Sequence, residues 1–162
     1  MKAHRGGRPT ILGAWNMAIA LLADPVNPIP QERRDALMRA GHVGLEDMAK
    51  SQTPDLESWR DITDLLNWMT AALELGLIED PDGIIQRGND ALVECHDLRK
   101  KHGKLRLSPA GMADLATLMT QFDALINAVS ARVYWSVTKR AGVRCLAIWA
   151  GKRKAGDVVV TM

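Results

Sequence analysis

Two acidic pairs carry a spacing that metal chemistry uses. Asp61-x-x-Asp64 and Glu94-x-x-Asp97 each place two carboxylates on one face of a helix, because residues three apart are surface neighbours there. Where two such helices lie side by side, four carboxylates meet. A Mg²⁺ held there keeps several waters and takes a substrate phosphate into its shell. The competing reading is an ordinary pair of solvated or salt-bridged helix faces, which needs no ligand. Histidine and cysteine offer less. Cys95 and His96 are consecutive and so point to different helical faces. With no Cys-x-x-Cys or His-x-x-x-His spacing, neither a zinc site nor a cysteine nucleophile is expected. The expectation is a protein with no catalytic residues and no cofactor, with Asp61, Asp64, Glu94 and Asp97 as the alternative metal set.

The basic residues suggest a different chemistry. Arg5-Gly6-Gly7-Arg8-Pro9 puts two arginines on a thin backbone, as a DNA minor groove about 6 Å wide requires. Further basic groups gather at Lys100, Lys101, Lys104 and Arg106, at Lys139 and Arg140, and at Lys152, Arg153 and Lys154. Tyr134, Trp135 and Trp149 lie among the later ones, and a basic surface with aromatic rings suits stacked bases of RNA or single strands. No recognition helix accompanies the arm. The one place for a helix-turn-helix is a break at 41–44, and the helix following it would carry Glu46 and Asp47, which phosphates repel. Trp59, Trp68 and Trp135 are candidate anchors for a partner protein, or else core residues.

Three resemblances follow from these residues. Arg5-Gly6-Gly7-Arg8-Pro9 resembles the AT-hook core, Arg-Gly-Arg-Pro, and the Gly-Arg-Pro arm of Hin-type recombinases, except that Gly6 stands where the first core arginine belongs. The acidic pairs are similar to those of the all-helical nucleotide pyrophosphohydrolases, though the first pair here is Asp-x-x-Asp and Arg60 precedes it. From about residue 26 to 140, NPIPQERRDAL, ESWRDITDLLNWMTAALELG and ALVECHDLRKKHGKLRLSP resemble small helical accessory proteins of proteobacterial prophages and plasmids. That last resemblance transfers no site. It implies a protein that acts by binding, on genes or on a host protein such as a defence complex.

Positioning these residues requires helices. Residues 11–23 place Ile11, Trp15, Ala18, Ile19 and Leu22 near a helical repeat, and three prolines (Pro25, Pro28, Pro30) then impose an extended link. A second helix is expected over 31–50, opening after Pro30. Gly41 and Gly44 weaken it by roughly 1 kcal/mol each relative to alanine, so either the helix breaks there or another element packs closely over it. A third starts with Thr53 as N-cap and Pro54 as first helical residue. It keeps Ile62, Leu65, Leu66, Met69, Leu73 and Leu77 on one stripe until EDPDG. A fourth spans 83–102 and ends at Gly103. A fifth starts at Ser108-Pro109 and runs unbroken to about Arg140. The tail from 143 continues as helix to Trp149, or forms two short strands around GKRKAG; the helix is favoured.

The chain has 162 residues, enough for one domain with a full core. Its aromatic inventory is five Trp with one Tyr and one Phe, and charge is segregated: +3 over 1–40, −10 over 41–98 and +9 over 99–162. No apolar run approaches the roughly 20 residues that span a bilayer. A secretory leader over 11–23 is disfavoured by Asn16 and Asp24-Pro25, and two cysteines allow at most one bridge, so a cytoplasmic protein is expected. The fold class is all-α: an antiparallel bundle of about five helices (11–150) with a basic N-terminal arm (1–10) and a basic, apolar tail (151–162). The expected function is a non-enzymatic accessory protein engaging a host protein or nucleoprotein complex. The alternatives are direct DNA or RNA binding and Mg²⁺-dependent nucleotide hydrolysis.

Overall fold

In the computed structural model, residues 28–157 are described. The arm with Arg5 and Arg8, the helix expected over 11–23, and residues 158–162 lie outside the described residues. Five helices follow in order: α1 (Gln31–Lys50), α2 (Leu56–Glu74), α3 (Ile84–His102), α4 (Pro109–Ala128) and α5 (Ala131–Trp149). Among the described residues there is no strand, only an isolated bridge between Pro28 and Ser130.

Local chemistry sets the boundaries. α1 opens immediately after Pro30, whose carbonyl accepts the amides of Arg33 and Arg34. α2 begins two residues later than the Thr53 cap predicted. Asp55 is the N-cap, accepting from the Glu57 amide at 3.1 Å, and its own amide is held by Asp47 at 3.0 Å. That tie to the end of α1 decides between two plausible caps. α2 also stops at Glu74, before Leu77, because Gly76 turns the chain at φ +69°. Ahead of α3, the Asp80 carboxylate accepts the amides of Ile84 and Ile85 at 2.8 and 3.0 Å, satisfying two donors of the first turn.

The fifth predicted helix is two helices. α4 ends at Ala128, Val129 is extended, and the Ser130 hydroxyl accepts the Val133 amide at 3.3 Å as the N-cap of α5. A serine is a mild helix residue but a strong cap, and here the cap wins. The break redirects the chain so that Tyr134, Val137 and Ala141 bury on the core instead of continuing in line with α4. α5 then takes in the ambiguous tail as far as Trp149, and residues 150–156 form turns, not strands.

α2 lies at the centre, against α1, α3, α4 and α5. Its Ile62, Leu65, Leu66, Trp68 and Met69 are all at most 1% exposed. α1 is continuous through Gly41 and Gly44, and the close-packing reading holds. A Cβ on Gly41 would lie 2.6 Å from Leu65 Cδ1 and 2.8 Å from Met119 Sδ. One on Gly44 would lie 2.9 Å from the Ser58 carbonyl oxygen. α1 pairs antiparallel with α2 and α4, and α3 with α2 and α4, as residues such as Gly44/Ser58, Gly41/Leu65, Trp59/Leu92 and Leu66/Gly88 meet in reverse order. No helix among the described residues is long and apolar enough to cross a membrane.

Candidate functional site on the last helix

α5 packs mainly on α2, and among the described residues no helix neighbours its outer side. Its inner side carries Tyr134, Val137, Thr138, Ala141 and Arg144, all buried. Turned outward are Val143, Leu146 and Trp149, spaced i, i+3, i+6 and 54%, 63% and 77% exposed. Residues at this spacing share a helical face. Residues 131–154 contain seven arginines and lysines and no acid, so this apolar stripe sits on a wholly basic element.

The end of α5 is held by a buried charge cluster. Glu74, the last residue of α2, is 0% exposed. Arg140 Nε donates to its Oε2 at 3.0 Å, Arg144 Nη1 lies 3.6 Å from Oε1, and Arg153 Nη2 donates to Oε1 as well. The same arginines fasten the following turn. Arg144 donates to the carbonyls of Ala155 and Asp157, and Arg153 to that of Asp157 at 2.8 Å. Burial pushes the Arg144 guanidinium below its ordinary arginine value and the neighbouring Arg153 charge adds to this, while Glu74 opposes both. Residues 151–157 are thereby folded back toward α3, where Gln86 Nε2 donates to the Gly156 carbonyl at 2.8 Å.

These contacts redistribute the residues singled out in the sequence. Arg140 and Arg153 are committed to Glu74 and do not form a free basic surface. Lys100, Lys101, Lys104, Arg106, Lys139, Lys152 and Lys154 are exposed. Trp68 is not a surface anchor. It is fully buried, edge-on to Phe122 at 5.6 Å, stacked on Tyr134 at 5.8 Å, with Nε1 donating to Thr138 Oγ1 at 3.3 Å. Trp135 is half-buried against the core. Trp59 is also half-buried, stacked on His96 at 5.2 Å and donating to the Leu92 carbonyl at 3.3 Å.

The four-carboxylate metal site is not assembled. Asp61 is 2% exposed and packs toward Gly44 of α1, whereas Asp64, nearly a turn on, lines a cavity with Cys145. Glu94 and Asp97 face a different groove, along α3 and residues 154–157. Among the described residues no three acidic, histidine or cysteine side chains gather closely enough to hold a metal ion. A 100° step per residue separates i and i+3 only slightly, but that small turn puts Asp61 under α1 and Asp64 beyond it.

Sequence reasoning passed over Val143, Leu146 and Glu74. The stripe was readable only once the tail was known to be helical. Glu74 and Arg144 carry no local signal, since each is buried by a partner some 70 residues away. The chain matches no family model, and comparison with curated proteins and with solved structures returns no similar protein.

Proposed function

We propose that this protein works by binding, as a non-enzymatic accessory or regulatory protein of the cytoplasm that engages a host protein or nucleoprotein complex through the outer face of α5. The observation that carries the reading is the stripe of Val143, Leu146 and Trp149 on an element without a single acidic side chain. A large apolar group left in water costs free energy that a partner recovers, and tryptophan is among the commonest anchors of interfaces. The surrounding cations select the partner. An amphipathic segment with apolar anchors flanked by Asp and Glu matches both features, and its charges would speed the encounter.

The resemblance to mobile-element accessory proteins agrees with a host partner, and the dispersal of the acidic pairs weakens the hydrolase reading. Direct nucleic-acid binding loses Arg140 and Arg153 but keeps the exposed lysines. The test is affinity capture from the natural host with the wild-type protein and a Leu146→Asp/Trp149→Asp variant, each with and without nuclease. A protein retained by the wild type, released by salt, lost by the variant and indifferent to nuclease is the expected outcome. Equal recovery by both proteins sinks the reading, and recovery that vanishes with nuclease transfers it to nucleic acid.

A further inference from the structure

α3 carries a groove of about 880 Å³ along its outer side, closed on one edge by residues 154–157. The α3 wall is a single helical stripe, because Asp90, Val93, Asp97 and Lys101 recur every three to four residues. From Gln86 to Lys101 that wall is about 22 Å long at the helical rise per residue. The returning chain comes close to it. A Cβ on Gly156 would lie 3.3 Å from an oxygen of Asp90. The apolar part of the groove is Val93, 39% exposed, and Leu98, half-buried. Asp90, Glu94 and Asp97 surround Val93 and are exposed.

α5 carries the counterpart with the opposite sign. Val143, Leu146 and Trp149 are exposed there, between the exposed Lys139 on one side and the exposed Lys152 on the other. Apolar surface ringed by cations is best covered by apolar surface ringed by anions, because the charges then fix the register as the apolar groups leave water. Within one molecule α3 and α5 both pack on α2 and make little contact with each other, so the two faces do not meet. A second copy of the chain brings both. Pairing α5 with another α5 is disfavoured, since residues 131–154 hold no acid and like charges would oppose one another.

We propose that the α3 groove receives α5 of a second copy, and that the contact is reciprocal, giving a closed two-fold dimer. Each chain then supplies one groove and one stripe, the self-complementary arrangement of a two-fold interface. The inference deepens the proposed function and rests on the same stripe. In the free protein the second copy covers Val143, Leu146 and Trp149, and a host partner whose apolar anchors are flanked by acids competes for them.

Analytical ultracentrifugation of the full chain is expected to show a monomer–dimer equilibrium in the micromolar range, weakened about tenfold or more by roughly 0.5 M salt. Glu94→Lys in the groove and Leu146→Asp on the stripe are each expected to leave monomers where the wild type is dimeric. Mixing the two variants should restore the dimer, since one contact is then native and the other sets the new lysine near the new aspartate. A restored dimer also shows that both variants fold. Should Glu94→Lys lose its helical circular dichroism, Asp97→Lys takes its place. The proposal is overturned if the wild type stays monomeric up to about 1 mM, if either variant dimerises like the wild type, or if the mixture stays monomeric. Larger species that grow with concentration would equally overturn it, as the mark of an open head-to-tail chain. A monomeric wild type that still captures a host protein through the stripe overturns the dimer alone. A dimer with equal host recovery by wild type and stripe variant overturns the host partner alone.

Discussion

A carboxylate at 0% exposure persists only when its charge is answered, and Glu74 is answered by three guanidiniums from two later segments of the chain. Removing one partner of such a cluster strands the others without compensation. Glu74→Gln is therefore expected to destabilise the fold by about 3–5 kcal/mol, read as a lower urea midpoint. Tyr134 offers a second handle. Burial pushes its phenol from 10.0 up to about 12, with the Thr138 hydroxyl and the Arg33 charge pulling the other way. Below pH 10 the phenol is neutral in both folded and unfolded chains, and its contribution is complete. As pH rises through about 12 the unfolded chain has already shed the proton, so stability falls by roughly 2–3 kcal/mol. Urea unfolding of the wild type and Tyr134→Phe at neutral pH and near pH 12 checks this: the variant should lose less stability over the same interval.

At the scale of elements, the approach of α1 to α2 depends on two glycines that meet different obstacles. At Gly41 the obstacles are the ends of Leu65 and Met119, which have other rotamers to adopt; at Gly44 the obstacle is the Ser58 backbone oxygen, which does not. Alanine improves helix propensity by roughly 1 kcal/mol at either position. Gly41→Ala is expected to be near neutral, and Gly44→Ala to cost about 1–3 kcal/mol as the helices are forced apart. Thermal melts of the two variants should rank them in that order. The break before α5 belongs to the same scale. Ser130 is unremarkable inside the apolar periodicity of 109–140, and periodicity alone runs straight through it. The stripes of α2, α3 and α4 were readable because burial repeats every three to four residues, whereas a cap without glycine or proline leaves almost no trace.

For the whole molecule, α2 as the central helix explains why α5 is both anchored and exposed. Its inner face completes the core, its end is tied by Glu74, and among the described residues no further helix covers its outer face. Substituting that outer face should leave the fold intact. Leu146→Asp/Trp149→Asp is expected to shift stability by less than about 0.5 kcal/mol per substitution. The melting temperature is the control that makes the capture experiment a test of binding. A large loss of stability would show that the stripe is structural after all.

The all-α class, four of the helix starts and stops to within a few residues, and the basic character of the C-terminal third were set by the sequence by itself. Each depends on neighbours along the chain: periodicity, caps and counted charge. The tertiary structure alone decided which tryptophan is core, which arginines are spent on Glu74, and that Asp61-x-x-Asp64 and Glu94-x-x-Asp97 never meet. Those outcomes depend on the rotation of each helix about its axis, where one residue's difference turns a side chain by 100°. That rotation is chosen by packing against partners tens of residues away, such as α1 over Gly44 and α5 across Trp68.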